Sequence, residues 1–113
     1  MPRDERAYLT DIIAACQAIE AALDDLDLPG YQDNRLVRSA VEREFIIIGE
    51  ALRTLSDTAP EVFAQVTHGR RIIDFRNLLT HEYATVDDAL VWAIALRDVP
   101  TLLKECSKLL EEA

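Results

Sequence analysis

Side chains suited to phosphate chemistry lie close together between Arg76 and Tyr83. His81 can exchange protons near neutral pH, and Arg76 is a permanent cation that can hold a phosphate group through two parallel hydrogen bonds. Asn77 can orient either side chain. With RNA, the ribose 2′-hydroxyl could serve as an internal nucleophile, with His81 as general base or acid and Arg76 stabilising the pentacoordinate phosphorane. The residue types are therefore compatible with RNA cleavage that needs no metal.

The same residues would also suit an ordinary helix C-terminus, with a cation near the negative end of the helix dipole and exposed aromatic rings after it. On a continuous helix, Arg76 and His81 lie about 140° apart and face different directions. They converge only if the helix ends near Thr80 or if a second subunit supplies one of the two. A two-fold dimer would set two copies of the segment against each other. Spacing alone leaves these alternatives open.

The charge distribution favours an anionic ligand near this segment. The chain has a net charge of −9 over 113 residues, which argues against general affinity for nucleic acids because such affinity needs a basic surface. Residues 67–83 differ, since three arginines outnumber two acidic residues there. Arg70 and Arg71 are candidate RNA contacts, and the alternative is that they pair with carboxylates of the protein.

Other catalytic patterns are missing from the sequence. Neither His68 nor His81 has a glutamate three residues before it, as a di-metal helical bundle would require. Zinc-protease, phosphate-loop and serine-hydrolase motifs are also missing. We therefore expect no metal and no cofactor for cleavage. Cys16 and Cys106 are expected to be buried free thiols, with a disulfide as the less favoured alternative.

Periodicity predicts a single all-α domain over residues 1–113, a bundle of four or five helices. The predicted helices cover 6–26, 34–55, 60 to about 66, a segment ending near Thr80, and a final segment from Asp87 or Asp88 that Pro100 kinks or splits. Residues 24–30 are predicted to be a loop, and Asp33 or Asn34 and Asp98 to be helix caps.

Two further expectations concern a glycine and the location of the protein. Gly49 lies within the second predicted helix, where glycine costs about 1 kcal/mol relative to alanine, and the close approach of another helix would be a reason to keep it. The chain has no run of 18 apolar residues and no apolar signal sequence near Met1. We expect a cytoplasmic protein that does not bind membranes.

The segment from Arg76 to Tyr83 resembles the Arg-x4-His-x-Tyr signature of the HepT-like toxins, a group within the HEPN superfamily (higher eukaryote and prokaryote nucleotide-binding). The resemblance extends over nearly the whole chain, because residues 6–12 are similar to the family's opening helix and residues 47–51 to its second-helix signature. Residues 72–75 and 86–92, on either side of the motif, also fit. Thr80 stands where a valine is more common, and it keeps the β-branched shape.

The resemblance implies a homodimeric HEPN-type bundle whose paired motifs line a cleft at the interface. It assigns catalysis to Arg76 and His81, with Asn77 in support, in the ribonuclease toxin of a toxin–antitoxin system. The implied antitoxin is a minimal nucleotidyltransferase of the MntA type, which uses ATP to adenylylate the motif tyrosine, here Tyr83. Glu50 would either contact the motif arginine or face solvent. The alternatives are a non-catalytic HEPN dimer that binds nucleotide or scaffolds its nucleotidyltransferase, and a purely structural helical oligomer.

Overall fold

The computed structural model describes residues 4–81 and 86–113, and helices are the only regular secondary structure in these ranges. The prediction of an all-α fold is confirmed. Five helices have ten or more residues and two are shorter. In chain order they are α1 (Glu5–Leu23), α2 (Leu28–Asp33), α3 (Arg35–Thr58), α4 (Pro60–Phe63), α5 (Gly69–His81), α6 (Asp88–Arg97) and α7 (Val99–Glu112).

Side-chain caps determine where several helices begin. The Asp4 carboxylate accepts a hydrogen bond from the backbone of the first turn of α1, and the Asn34 and Asp87 side chains do the same for α3 and α6. The cap of α3 is therefore Asn34 and not Asp33, and α6 is capped by Asp87 and not by Asp88. Asp98 stands at the N-cap position of α7, but its carboxylate makes no capping hydrogen bond. That carboxylate has other partners, described below.

The prediction of a loop over residues 24–30 is wrong in its second half, because α2 begins at Leu28. Asp27 caps this helix by accepting a hydrogen bond from the Gly30 amide, and Pro29 occupies its first turn, where proline is well tolerated. The helix buries Tyr31 completely, with its ring centroid 5.6 Å from that of Trp92. The residues read as stop signals for α1 are therefore also the start signals of α2.

Predicted helix ends shift by a few residues elsewhere. The first helix ends at Leu23 instead of residue 26, α3 continues to Thr58 instead of residue 55, and the short helix α4 ends at Phe63 instead of residue 66. Pro100 splits the last predicted segment, as expected, and lies in the first turn of α7.

The core is built around α3, which packs against α1 on one side and α5 on the other. Helix α7 packs against α1, and α6 contacts both α7 and α2. Large side chains with almost no exposed surface come from most of these helices and form one apolar cluster; they include Leu9, Ile12, Phe45, Ile48, Leu52, Ile72 and Leu102. This arrangement holds α5, which carries Arg76 and His81, firmly against the middle of the bundle.

Both cysteines are free and buried, as predicted. Burial raises the pKa of Cys16 above its usual range and that of Cys106 to about 12, because an apolar environment disfavours the thiolate. Within the described ranges, no helix combines the length and the apolar character that crossing a membrane would require.

Candidate active site

Arg76 lies on the packed side of α5, although it is charged. The buried Ile72 is four residues before it and the buried Leu79 is three residues after it, which places all three on one face of the helix. The Arg76 side chain is 21% exposed. The arginine therefore enters the boundary between α5 and α3 instead of extending from the surface.

Gly49 makes room for this arginine. A Cβ atom added to Gly49 would lie 2.3 Å from the Cβ of Arg76 and 2.6 Å from its Cγ. Both distances are too short for carbon atoms that are not bonded to each other. Glycine is thus required where α3 and α5 approach most closely at the site, as its position within a helix suggested. The cost of a mid-helix glycine is offset by the close packing of the two helices around the arginine.

The guanidinium of Arg76 is held from two sides. Its Nη2 donates to Glu50 Oε1 on α3 at 3.2 Å, and its Nη1 donates to Asn77 Oδ1 on α5 at 3.0 Å. Glu50 therefore contacts the motif arginine, and Asn77 orients it. The Nε–H of Arg76 is buried without a partner in the part of the chain that the structure describes. The side chain is fixed in direction and keeps unused hydrogen-bonding capacity.

His81, unlike Arg76, lies on the exposed side of α5. It is the last residue of α5, it is exposed, and it shares the outer face of the helix with Arg70 and Asp74, which are also exposed. The helix is continuous from Gly69 to His81, so it does not end early enough to turn the histidine towards Arg76. The angle of about 140° between these two residues on one helix therefore applies. Thr80, between them, donates its hydroxyl to the Arg76 carbonyl oxygen at 3.2 Å.

Tyr83, the expected modification site, lies outside the described residues, which exclude 82–85.

Arg70 and Arg71, the candidate RNA contacts, have partners within the protein. Arg71 donates through Nε and Nη2 to the two carboxylate oxygens of Asp98, at 3.1 and 2.6 Å. The Arg70 guanidinium lies 5.3 Å from the centroid of the Phe63 ring, a cation–π distance. Sequence reasoning treated Asp98 only as a cap and did not single out Arg97, which also pairs with it at 3.2 Å. The position of Asp98, two residues before Pro100, does not predict that its side chain is completely buried.

Of two cavities in the described residues, the smaller one adjoins the site. A cleft of about 180 Å³ between α1 and α3 is lined by Tyr8, Asp11, Ile47, Glu50, Ala51 and Thr54, and so adjoins the carboxylate that holds Arg76. A larger one of about 340 Å³ lies elsewhere, between α1, α6 and α7, and includes no motif residue. We place the site by its chemistry and not by cavity size. Among residues 4–81 and 86–113, no group of three or more potential ligand side chains is arranged to hold a metal ion.

Comparison with known proteins adds family information. A model of the HepT-like ribonuclease family matches residues 12–109. A protein of Methanocaldococcus jannaschii named "Putative RNase" is 35% identical over 103 residues, which cover 91% of this chain and 94% of that protein. A protein of Thermococcus cleftensis named "Probable ribonuclease HepT" is 28% identical over 109 residues, covering 96% of this chain and 98% of that protein. No solved structure matches the chain.

Proposed function

Since the chain belongs to the HepT-like ribonuclease family and is thus a ribonuclease, we propose that it is a metal-independent endoribonuclease acting as the toxin of a toxin–antitoxin pair. The observation that carries this proposal is the state of Arg76. A charged side chain is packed against α3, opposite a glycine that leaves space for it, and is oriented by Glu50 and Asn77. Such preorganisation is expected of a group that must meet charge developing in a transition state.

The proposed reaction uses the RNA's own 2′-hydroxyl. Its oxygen attacks the adjacent phosphorus, the bond from phosphorus to the 5′-oxygen breaks, and the products are a 2′,3′-cyclic phosphate and a free 5′-hydroxyl. One His81 imidazole carries out one of the two proton transfers, either accepting the proton of the 2′-hydroxyl or donating a proton to the leaving 5′-oxygen, and water carries out the other. Arg76 stabilises the phosphorane between these steps. No metal ion takes part in this scheme.

A homodimer supplies the missing geometry. Arg76 and His81 diverge on one helix, so a site that uses both needs the histidine of one subunit beside the arginine of another. The exposure of His81 at the end of α5 supports such an arrangement, because the side chain is accessible to a second copy. In this proposal each dimer has two composite sites related by the two-fold axis.

Control of the toxin is proposed to act through Tyr83. A minimal nucleotidyltransferase antitoxin would use ATP to attach AMP to the phenol, forming a phosphodiester bond and releasing pyrophosphate. The added phosphate and base would lie two residues from His81 and would repel or block the RNA backbone. Support for this part comes from the sequence motif and the family.

Cleavage of RNA by the purified protein in the presence of EDTA tests the proposal. We expect wild-type protein to cleave under these conditions and His81→Ala to lose at least about a hundredfold in rate, the usual size of a general acid–base contribution. Thermal unfolding should show that the variant remains folded. Equal cleavage by the variant would refute the role of His81, and a wild-type protein that binds RNA or nucleotide without cleaving would favour the non-catalytic HEPN alternative.

The control mechanism has its own test. Incubation with a minimal nucleotidyltransferase of the proposed antitoxin type and ATP should add one adenylate mass to the wild-type chain and none to Tyr83→Phe. Full labelling of Tyr83→Phe would show that another residue is the acceptor.

A further inference from the structure

A second group of cationic side chains lies at the other end of α5, where two arginines contact one buried carboxylate and a third arginine precedes them in the sequence. We define this arginine cluster as Arg70, Arg71 and Arg97. Asp98, with no exposed surface, accepts hydrogen bonds from both Arg71 and Arg97. His68 Nε2 lies 3.9 Å from the same carboxylate. One negative charge therefore faces several groups that are cationic or can become so.

This imbalance distinguishes the cluster from the other arginine ion pairs of the described residues. Arg38 faces Asp88 at 3.7 Å and Arg76 faces Glu50 at 3.2 Å, each a single cation with a single acid. In the cluster, Arg71 and Arg97 share Asp98. Glu105 accepts a hydrogen bond from the Thr67 backbone N–H at 3.0 Å and keeps its negative charge, so with Glu105 counted the three arginines still outnumber two acids. On a chain with a net charge of −9, this is a local surplus of positive charge.

The surplus is accessible. The side chains of Arg71 and Arg97 are 46% and 61% exposed, although both touch a fully buried aspartate. Asp98 binds their inner edges and leaves further N–H groups on the outer edges of the two guanidinium groups. The N-terminal end of α5, at Gly69, adds the positive end of a helix dipole beside them. A buried acid that holds arginines with their outer edges in solvent is well suited to an external phosphate.

One member of the cluster, Arg70, is aligned with the proposed cleavage site, whereas Arg71 differs from His81 by about 80° in direction. Arg70 and His81 are eleven positions apart in the sequence, so on a continuous helix they differ by only about 20° in direction and lie about 16 Å apart along the axis. Both are exposed on the outer face of α5. Asp74 lies on this face between them and is the one acid that a strand following the face would pass.

We propose that the arginine cluster is a second phosphate-binding site, which holds the backbone of a single-stranded RNA about 16 Å from the His81 end of the same helix face. The inference rests on the proposed ribonuclease function and adds to it a requirement for substrate length. A dinucleoside monophosphate has one phosphate group and cannot occupy both sites. A longer strand can. The cluster thereby favours extended RNA over small fragments.

The first test measures RNA binding as a function of salt, using the His81→Ala background so that the RNA stays intact. Arg97→Gln removes one charge while Arg71 continues to neutralise Asp98, so the fold should be retained. For a single strand, each lost phosphate contact should make the negative slope of log K against log salt shallower by about 0.7. The matched control is Arg35→Gln at the start of α3, which removes the same charge about 21 Å along that helix from Gly49 and should leave the slope unchanged. Equal slopes for the two variants would overturn the proposal.

Two further arms sharpen the result. Asp74→Asn should have the opposite sign and tighten binding of a long single strand, because it removes a repulsive charge of α5 between the two sites. In the catalytically intact protein, Arg97→Gln should slow cleavage of long RNA several-fold more than cleavage of a dinucleoside monophosphate. An equal reduction for both substrates would refute the length requirement. If Arg97→Gln makes the slope shallower but the protein with an intact His81 does not cleave RNA, the second phosphate-binding site is supported and only the ribonuclease proposal is refuted.

Discussion

Arg76 and His81 differ in how they are packed within the helical bundle. Arg76 is packed against α3, fits over Gly49 and is bound by Glu50 and Asn77, whereas His81 stands exposed at the last position of α5. One chain therefore positions the proposed phosphate-binding group and leaves the proposed proton-transfer group exposed. This contrast is what we expect if folding of one subunit positions the arginine and the proposed dimer positions the histidine. Substitutions around Arg76 should act within a subunit, and those at His81 should depend on the neighbouring subunit.

Gly49→Ala should have the largest effect among substitutions that spare the motif itself. The new methyl group would meet Arg76 Cβ at 2.3 Å, so α3 and α5 must separate and the guanidinium must move. We expect loss of about 1–3 kcal/mol in the free energy of unfolding, measured by urea denaturation, and at least about a tenfold fall in cleavage rate of the folded fraction.

Gly30→Ala in α2 is the matched control for that substitution. A Cβ there would first meet Asp27 Oδ1 at 3.0 Å and the end of the Leu26 side chain at 3.3 Å, and the leucine tip can move. Gly30→Ala should change the free energy of unfolding and leave the cleavage rate per folded molecule nearly unchanged. Similar loss of activity in both variants would show that the packing of Gly49 on Arg76 has no special role.

Glu50→Ala should have a smaller effect, confined to the orientation of Arg76. It removes one of the two hydrogen bonds on the guanidinium, which corresponds to about 1 kcal/mol and hence several-fold in rate if the arginine must be aligned for the transition state. Glu50→Gln keeps an acceptor oxygen and should recover much of the rate. Steady-state kinetics with kcat and KM separated would test this, and identical rates for the alanine variant and the wild type would remove Glu50 from the site.

Glu42→Gln should produce the smallest change, in stability and not in cleavage. Burial, together with the nearby Asp88, raises the pKa of Glu42, while Arg38 partly opposes this shift. A carboxyl whose pKa is higher in the folded state stabilises the fold at low pH, and this contribution is lost as the pH rises through the folded-state pKa. The glutamine variant should therefore be more stable than wild type at neutral pH, by about 0.5 kcal/mol, and should lose this advantage below the ordinary glutamate pKa.

Urea titrations at acidic and neutral pH would check the Glu42 prediction, with cleavage rates measured in parallel. A gain in stability that is equally large at both pH values would contradict the assigned cause. A changed cleavage rate would contradict the separation between this region of α3 and the Arg76 site.

The sequence was sufficient for features governed by local chemistry. Helical periodicity, caps such as Asn34 and the cost of Gly49 are encoded within a few residues, and the structure agrees with them. The sequence left open whether Glu50 contacts Arg76 or faces solvent, and the packing of α3 on α5 brings the two side chains into contact. Features that depend on distant parts of the chain were missed. Asp98 is buried because α5, α6 and α7 meet there, and Tyr31 is buried because α2 folds back onto Trp92.

The relation between Arg76 and His81 is the part that neither the sequence nor a single chain completes. Helical geometry predicts about 140° between them, and the unbroken α5 retains that divergence. A composite site made by two subunits is the arrangement that reconciles the divergence with chemistry requiring both groups. The proposed composite site can be tested without knowing the natural RNA target.

Mixing two inactive variants is the most direct measurement. Arg76→Ala and His81→Ala chains would be unfolded together, refolded as an equal mixture and assayed for RNA cleavage against each variant treated alone. If the site combines Arg76 of one subunit with His81 of the other, mixed dimers contain one intact site, and the mixture should recover about one quarter of the wild-type activity because half of the dimers are mixed. A mixture that remains as inactive as either variant alone, although mixed dimers form, would contradict the composite site.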